Sequence, residues 1–524
     1  MITTIALSFL TVIVIFLLKI IVPPWNFPNN IPTIPFYVTF LTTFFDLDQE
    51  DIFRLYLAKP LEKYGAVKIY FGSRWNILVS RPTYLSQMFK DEDTFAKSGN
   101  QKKIPYSVMA EYTGDNVISA HGKIWKLYRN SVTNGLQFFD HKPMVENARL
   151  FCSLLKEQLN KECGQSLNYN KLSDKSKKEP CSNKAMSLPE CDDTKTSILS
   201  QSASLEMADY IQRLTLANIS QVALGFDFGT LTEDKAPLHQ QLKYVKKQVF
   251  KPLFLNFPFL DKLPLPSRQS AREEVSKFRK NLVDQVRENL MDNYLYEQTS
   301  FASSELIRNF NREKLNEKQL TDNIVIIMVA GHENPQLLLT TLLYMLAKHH
   351  NTWQVKLREE LRSCSMTEIH ELPLLNAFFF ECIRMYPPLG QIINRCTSKT
   401  CVLGRDIVIP KGSYVGYNVY ATGRSRTVWG NDSNEFKPER WGLSYNEVMD
   451  TWRHSKNSCA MSAFHGGRRA CLGEKLALTE LRITVAEMLT QFQWRLAPDW
   501  KDKMTPAGPL CPLNLKLKVE PLNQ

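Results

Sequence analysis

The sequence has little that would build a structural metal site or a disulfide framework. Its eleven cysteines lie at irregular positions, with no CxxC pair and no Cys/His ligand spacing. The run HENPQ at 332–336 resembles the start of a zinc motif but lacks the second histidine four residues on. An odd number of scattered cysteines argues against a disulfide framework and favours a reducing, cytosol-facing compartment. Zinc fingers, zinc peptidases and disulfide-rich secreted domains are therefore not indicated.

The sequence has no internal repeats. It also lacks the alternation of basic and aromatic residues that is typical of nucleic-acid binders, even in its densest basic runs, 175–178 and 246–251. The 524 residues are 44% hydrophobic and 23% charged, as in a globular protein, with a net charge of +12. This length fits one large α-rich domain or two or three smaller ones. A mildly basic body suits an anionic membrane surface or an acidic redox partner.

The N-terminus is strongly apolar. Residues 2–22 contain one charge, Lys19, and are about long enough to cross a bilayer as a helix. A cleaved signal peptide is the alternative, but a basic n-region and a small-x-small cleavage site are both lacking. We therefore expect 1–22 to be a retained transmembrane anchor.

A proline-rich segment follows, with five prolines from Pro23 to Pro35. Proline favours extended backbone, so 23–50 is predicted to be a stiff linker ahead of a catalytic domain over 51–524. Within that domain, residues 160–203 are polar and lack an apolar period. This stretch is predicted to be a surface insertion.

The segment 321–350 is apolar on nearly all faces except at GHENPQ. A second transmembrane span would place His332, Glu333 and Asn334 at mid-membrane, which is costly, so a helix buried through the protein centre is preferred. Pro335 cannot donate to the carbonyl of Gly331, so the helix should kink there and leave that carbonyl free. With the three polar side chains this predicts a small polar pocket; the alternative is a simple packing kink.

The run FHGGRRACLGEKLA at 464–477 presents one cysteine among glycines and arginines. The glycines permit tight turns, so backbone N–H groups can point at the sulfur of Cys471. Such hydrogen bonds, with the neighbouring Arg469, favour thiolate over thiol. Gly473 and Ala477 leave room for a flat partner against the following helix.

Phe464, Gly467, Arg469, Cys471 and Gly473 match every position of F-x-x-G-x-R-x-C-x-G. This pattern resembles the haem-ligand signature of the cytochrome P450 family of haem-thiolate monooxygenases.

Three further family motifs occur in the expected order. ECIR supplies an E-x-x-R pair, FKPERW resembles the family's P-E-R-F segment, and a W-x-x-x-R motif lies upstream. An isolated E-x-x-R is a common pair on helix surfaces. The resemblance to the family therefore depends on all four motifs occurring in the expected order. The residues are Glu381, Arg384, Arg440, Trp125 and Arg129.

The resemblance implies haem b with Cys471 as its axial thiolate ligand to iron. A cysteinate opposite oxygen donates electron density through the iron and promotes O–O cleavage. By family correspondence Trp125, Arg129, Arg395 and Arg469 contact the haem propionates. Phe464 of the signature is expected to be a further haem-binding residue. Glu381, Arg384 and Arg440 are expected to support the thiolate loop rather than to act in catalysis.

The central helix departs from the family pattern A-G-x-(D/E)-T. The acid is retained as Glu333, but Asn334 replaces the threonine. These two residues are the candidate catalytic residues. An amide can hold water but is a poor proton shuttle. Ordinary hydroxylation, which relies on proton delivery to bound dioxygen, is therefore less strongly predicted.

Within the family, AGHENPQ together with FHGGRRACLGEKLA resembles the fungal haem-thiolate oxidases of spore-wall dityrosine synthesis, which couple N-formyltyrosine. Phenol coupling needs no oxygen in the product. The alternatives are a fungal hydroxylase of fatty acids, alkanes or xenobiotics, a haem-thiolate isomerase or dehydratase, and a non-enzymatic haem-binding protein.

The fold implied is the mainly α cytochrome P450 fold with a small β-rich lobe, behind a single N-terminal anchor. The implied partners are NADPH–cytochrome P450 reductase, a small-molecule substrate and the membrane, with no nucleic acid. The resemblance places the protein in the endoplasmic reticulum membrane, with its catalytic domain cytosolic.

Overall fold

Helices dominate the computed structural model, which describes residues 2–175, 202–292, 301–362, 364–365 and 368–522. In chain order the α-helices are α1 Ile2–Ile21, α2 Leu41–Phe44, α3 Gln49–Ile52, α4 Ala58–Tyr64, α5 Pro82–Lys90, α6 Asn100–Lys103, α7 Val108–Thr113, α8 Gly122–Gln137, α9 Lys142–Lys175, α10 Ala208–Ile219, α11 Pro237–Val249, α12 Pro252–Asn256, α13 Pro266–Asp292, α14 Ala302–Asn311, α15 Glu317–Lys348, α16 Val355–Leu361, α17 Pro373–Met385, α18 Val419–Arg424, α19 Arg426–Trp429, α20 Tyr445–Asn457 and α21 Glu474–Gln491.

Within the described residues, ten strands form the β-rich part of the fold: β1 Ala66–Phe71, β2 Arg74–Val79, β3 Phe95–Lys97, β4 Ala203–Glu206, β5 Gln391–Thr397, β6 Cys401–Leu403, β7 Ile407–Ile409, β8 Tyr414–Asn418, β9 Phe492–Leu496 and β10 Lys516–Pro521. The largest sheet has the order β1-β2-β8-β5-β3. β2 and β8 are parallel and its other pairs are antiparallel. Two smaller sheets have the orders β4-β10-β9 and β6-β7. The predicted mainly α fold with a small β-rich part is confirmed.

The central helix α15 runs through the main core, as expected. It begins with a capping box in which Asn316 and Gln319 bond each other's backbone N–H groups. Its apolar side chains from Leu320 to Ala347 are buried almost throughout, so tertiary packing rather than one amphipathic face stabilises it. Pro335 lies inside the helix without ending it.

The anchor prediction concerns α1. No helix within the described part of the chain is both long enough and apolar enough to cross a membrane. The anchor over 1–22 therefore stays a prediction. In the proline-rich segment, Phe27, Ile31 and Ile34 are buried, and Thr33 pairs with Lys68 of β1. Part of this segment thus packs on the sheet.

The predicted surface insertion over 160–203 lies mostly outside the described residues. Its start continues α9 as far as Lys175, and its end enters β4 at Ala203.

A buried polar chain joins α21, which follows the cysteine loop, to two other helices. Glu480 is 1% exposed and accepts a 2.9 Å hydrogen bond from Asn218 of α10. Asn218 in turn accepts one of 3.0 Å from Asn147 of α9. The next residue of α10, Ile219, packs against Gly331: a Cβ on this glycine would lie 2.2 Å from Ile219 Cδ1. The same short segment therefore positions both α21 and α15.

Burial raises the pKa of Glu480 from 4.5 to about 8, against the opposing hydrogen bond from Asn218. Between these values the folded chain binds one more proton than the unfolded chain, so the free energy of unfolding falls as pH rises. Glu480→Gln stays neutral and should lose this dependence. We expect the stability of Glu480→Gln relative to wild type to increase by about 2–3 kcal/mol from pH 5.5 to pH 7.5. Denaturant unfolding at both pH values tests this, and a pH-independent difference would contradict it.

Candidate active site

A cavity of about 290 Å3 lies between the middle of α15 and the loop that carries Cys471. Much of its wall is apolar. The cavity brings together six of the predicted site residues: Trp125, Arg129, Asn334, Phe464, Arg469 and Cys471. Arg395 and Glu333 are not among its lining residues.

The cysteine loop holds its thiol in a fixed place. The N–H of Cys471 donates to the carbonyl of Phe464 at 2.9 Å, which closes the loop. The preceding turn needs glycine, because Gly467 has φ +61° and a Cβ there would lie 2.9 Å from the carbonyl oxygen of Phe89. A Cβ on Gly466 would meet the ring of the same phenylalanine at 2.4 Å.

The thiol of Cys471 is exposed to the cavity and surrounded by protein on its other sides. This burial raises its pKa to about 11, while backbone N–H donors from Gly473 and Glu474 and the charge of Arg129 lower it. The predicted N–H donors are therefore present. An added positive charge such as a metal ion would be needed to hold the sulfur as thiolate at neutral pH.

Arg469 extends from the cysteine loop across the cavity wall. Its guanidinium stacks on Trp125 at 3.8 Å and donates to the carbonyl of Ala120 at 3.0 Å and to Glu92 at 3.3 Å. Burial lowers the pKa of Arg469 to about 10, with Glu92 opposing. Its Nη1 is buried and has no hydrogen-bond partner among the described residues.

Two more buried cations stand beside Arg469. Lys97 of β3 lines the cavity, is 4% exposed, and has its pKa lowered well below the usual range by burial and by Arg395 and Arg469. Arg395 of β5 donates to the carbonyl of Phe95 at 3.0 Å, and its Nε lacks a partner within the described ranges. Glu92 is the buried carboxylate that faces this group. One end of the cavity therefore carries excess positive charge.

The helix face opposite the thiol contains Asn334. Its Nδ2 donates back to the carbonyl of Ala330 at 3.4 Å, so its carbonyl oxygen is left for another donor. The neighbouring Glu333 turns to α11, where its Oε1 lies 3.0 Å from Nζ of Lys246. The structure thus separates the two candidate catalytic residues: the amide faces the cavity and the acid forms an ion pair beside it.

Glu381, Arg384 and Arg440, which were predicted to support the thiolate loop, form one buried group away from the cavity. Glu381 accepts two hydrogen bonds from Arg384, at 2.7 and 2.8 Å, and one from Arg440 at 2.9 Å. It also accepts from the indole of Trp441 at 3.0 Å and from the backbone of Lys437 at 2.8 Å. This group fixes the 436–441 segment to α17.

The family model described as Cytochrome P450 matches residues 32–176 and 191–519. The chain is a cytochrome P450. It is 57% identical over 500 residues to Cytochrome P450-DIT2 of Saccharomyces cerevisiae, covering 95% of this chain and 94% of that one. It is 33% identical over 500 residues to Cytochrome P450 monooxygenase xanG of Aspergillus fumigatus, covering 93% and 86%. It is 27% identical over 300 residues to Cytochrome P450 94A1 of Vicia sativa, covering 55% and 58%.

Membership of the cytochrome P450 family implies haem with an axial cysteine thiolate, a redox partner reductase and a small-molecule substrate. The cavity fits that cofactor. Its cationic end, with the unpartnered Nη1 of Arg469, matches the two propionate carboxylates of haem. At the thiol end, a Cβ on Gly473 would meet no described atom within 4 Å, which leaves space for a flat ring.

Lys97 and Glu92 were missed from the sequence. Neither belongs to a motif, and a lysine in a short strand carries no sign of its burial. The alternation of β3 offers a weak signal, because Phe95 and Lys97 are the buried residues on either side of Ala96.

Lys97→Met is expected to weaken haem retention in this cytochrome P450. A buried charge-assisted hydrogen bond contributes about 1.5–3 kcal/mol, so haem transfer to apomyoglobin should become roughly tenfold faster or more. Lys102→Met is the matched control, since Lys102 is exposed and does not line the cavity. Equal transfer rates for the two variants would remove Lys97 from the haem site.

Proposed function

We propose that this cytochrome P450 couples two molecules of N-formyltyrosine to bisformyl dityrosine for the spore wall. The reaction joins two phenol rings and removes one hydrogen atom from each. O2 is reduced to two waters by these two hydrogen atoms, two electrons delivered from NADPH by the reductase, and two protons. No oxygen atom enters the product.

The observation that carries this proposal is Asn334 on the cavity wall. An amide at this position can hold a water or a substrate group but cannot pass on a proton as a hydroxyl does. Coupling requires hydrogen-atom removal from a phenol, which is a less demanding oxidation than insertion of oxygen into a saturated C–H bond. The 57% identity with Cytochrome P450-DIT2 along nearly the whole chain supports this proposal.

The proposed roles follow from the positions described. Cys471 would bind the haem iron, Trp125 would contact the propionates, and Arg129, Arg395, Arg469 and Lys97 would neutralise them. Phe464 would pack beside the thiolate. Bound haem would supply O2 activation and one-electron oxidation of the phenol.

On the substrate side, Asn334 would orient the reacting group and its water. Glu333 would supply protons from its place beside the cavity, and the apolar wall would keep bulk water from the phenol.

Residues 1–22 are proposed to anchor the protein in the endoplasmic reticulum membrane, with the domain of residues 51–524 in the cytosol. The supporting feature is an apolar run with Lys19 as its only charge. As a helix over Ile2–Ile21 it would be about 30 Å long. The linker over 23–50 would hold the domain close to the membrane.

A reconstituted turnover tests the proposed reaction. Purified holoenzyme, reductase and NADPH are given isotopically labelled O2, with N-formyltyrosine and a medium-chain fatty acid in parallel. We expect a coupled dimer without label. Label in a hydroxylated fatty acid, with no dimer, would instead make this a conventional hydroxylase.

A further inference from the structure

A polar cluster lies beside the cavity, where α15 faces α7 and α11. Glu333 and Lys246 form its ion pair, and each side chain is 24% exposed, so the pair is not sealed from a ligand. His332 is fully buried, and its Nε2 lies 4.0 Å from Oε1 of Glu333. Since Ala330 and Asn334, in the same helical turn, line the cavity, this cluster is adjacent to it.

Three buried atoms of the cluster lack a hydrogen-bond partner among the described residues: the hydroxyl of Tyr112, Nε2 of His332 and Oε1 of Glu333, the last of which has only its ion pair with Lys246. The helix that carries Tyr112, α7, packs against both α15 and α11. Burial raises the pKa of Tyr112 well above its usual range, and the charge of Glu333 adds to this. Leaving such a hydroxyl unpaired is unfavourable, and a ligand that accepts a hydrogen bond from it would remove that cost.

His332 is the second such group. Its Nδ1 lies 2.7 Å from the carbonyl of Met328, so Nδ1 carries the hydrogen and Nε2 presents a lone pair. This Nε2 is buried without a partner in the described ranges. Burial and the charge of Lys246 lower the pKa of His332 to about 4, which keeps the ring neutral at neutral pH.

The cluster therefore offers both donors and acceptors. Lys246 and the hydroxyl of Tyr112 donate, whereas His332 Nε2 and Glu333 accept. The head group of an N-acylated amino acid is complementary, because it carries a carboxylate, an amide N–H and a carbonyl oxygen. An alkane has no group that would satisfy these atoms, and a fatty acid has a carboxylate for the donors but no amide N–H for the acceptors.

We propose that Lys246, together with Tyr112, binds the carboxylate of an N-acylated aromatic amino acid and so determines substrate specificity. This inference rests on the proposed coupling of N-formyltyrosine and names the part of the substrate that is recognised. On binding, the ammonium of Lys246 turns from Glu333 to the substrate carboxylate, and the aromatic ring lies toward the cavity.

The test compares N-formyltyrosine with N-formyltyramine, which lacks the carboxylate, by calorimetric titration of the holoenzyme. Lys246→Met should weaken N-formyltyrosine binding about tenfold, or about 1.4 kcal/mol, and leave N-formyltyramine within about twofold. Lys247→Met is the matched control: it removes the same charge from α11, but Lys247 is exposed and should change neither affinity. Equal losses for both ligands, or no loss for either, would overturn the proposal.

Glu333→Gln provides an independent measurement, because it removes the carboxylate that competes for Lys246. It should bind N-formyltyrosine severalfold more tightly and N-formyltyramine unchanged. If Lys246 serves only to pair with Glu333, this variant will show no such selectivity, and the proposal fails.

The coupling reaction is judged separately. Wild-type enzyme that binds N-formyltyrosine through Lys246 but yields no dimer would refute the coupling and keep the subsite. Dimer formation, with equal N-formyltyrosine affinity in the Lys246 and Lys247 variants, would support the coupling and refute the subsite.

Discussion

Cys471→Ala is expected to abolish the thiolate-type absorption band of the reduced carbonyl complex and all turnover with it. The sulfur of Cys471 is the one group that the loop presents to the cavity with backbone donors from Gly473 and Glu474. Alanine keeps the backbone of the loop and removes only the iron ligand. The measurement is the difference spectrum of dithionite-reduced protein with and without carbon monoxide.

Cys401→Ala is the control for this experiment. Cys401 lies on β6 and does not line the cavity, so its removal should leave the spectrum intact. Survival of the thiolate-type band in Cys471→Ala would show that another group binds the iron, and the assignment of the cofactor site would be wrong.

Glu381→Ala is expected to have the largest effect on stability. Glu381 is fully buried and accepts hydrogen bonds from both Arg384 and Arg440. Its removal leaves the buried Arg384 without its counter-charge and leaves Arg440 with only Asp432, at 3.3 Å. Removing one partner from a buried ion pair costs about 3–5 kcal/mol. We expect a loss of this size in the free energy of unfolding, with premature haem loss on heating.

The matched control is Glu359→Ala, which removes a carboxylate from an exposed pair with Arg362 at 2.7 Å. Exposed pairs contribute about 0–1 kcal/mol, so this variant should unfold close to wild type. Similar losses in both variants, measured by denaturant unfolding of the holoenzyme, would show that the buried group of Glu381 has no special structural role.

The sequence predicted the site wherever its residues lie close together in the chain. The cysteine loop could be read from FHGGRRACLG because its turns and its donors to sulfur are local. The buried course of α15 followed from its apolar faces and from the cost of placing 332–334 in a membrane. The separate roles of Glu333 and Asn334 could not be read, since adjacent residues on a helix point about 100° apart and their partners come from distant segments.

Amino-acid types and local spacing by themselves determined the family, the cysteine that the loop presents, and the absence of a hydroxyl at Asn334. Only the tertiary structure decided which charges meet. Lys97 joins Arg469 and Arg395 because β3 and β5 pair in one sheet, and Lys246 meets Glu333 because α11 packs near α15. Such contacts depend on long-range packing, and a charged residue shows no sign in the sequence of whether it will be buried or which partner it will have.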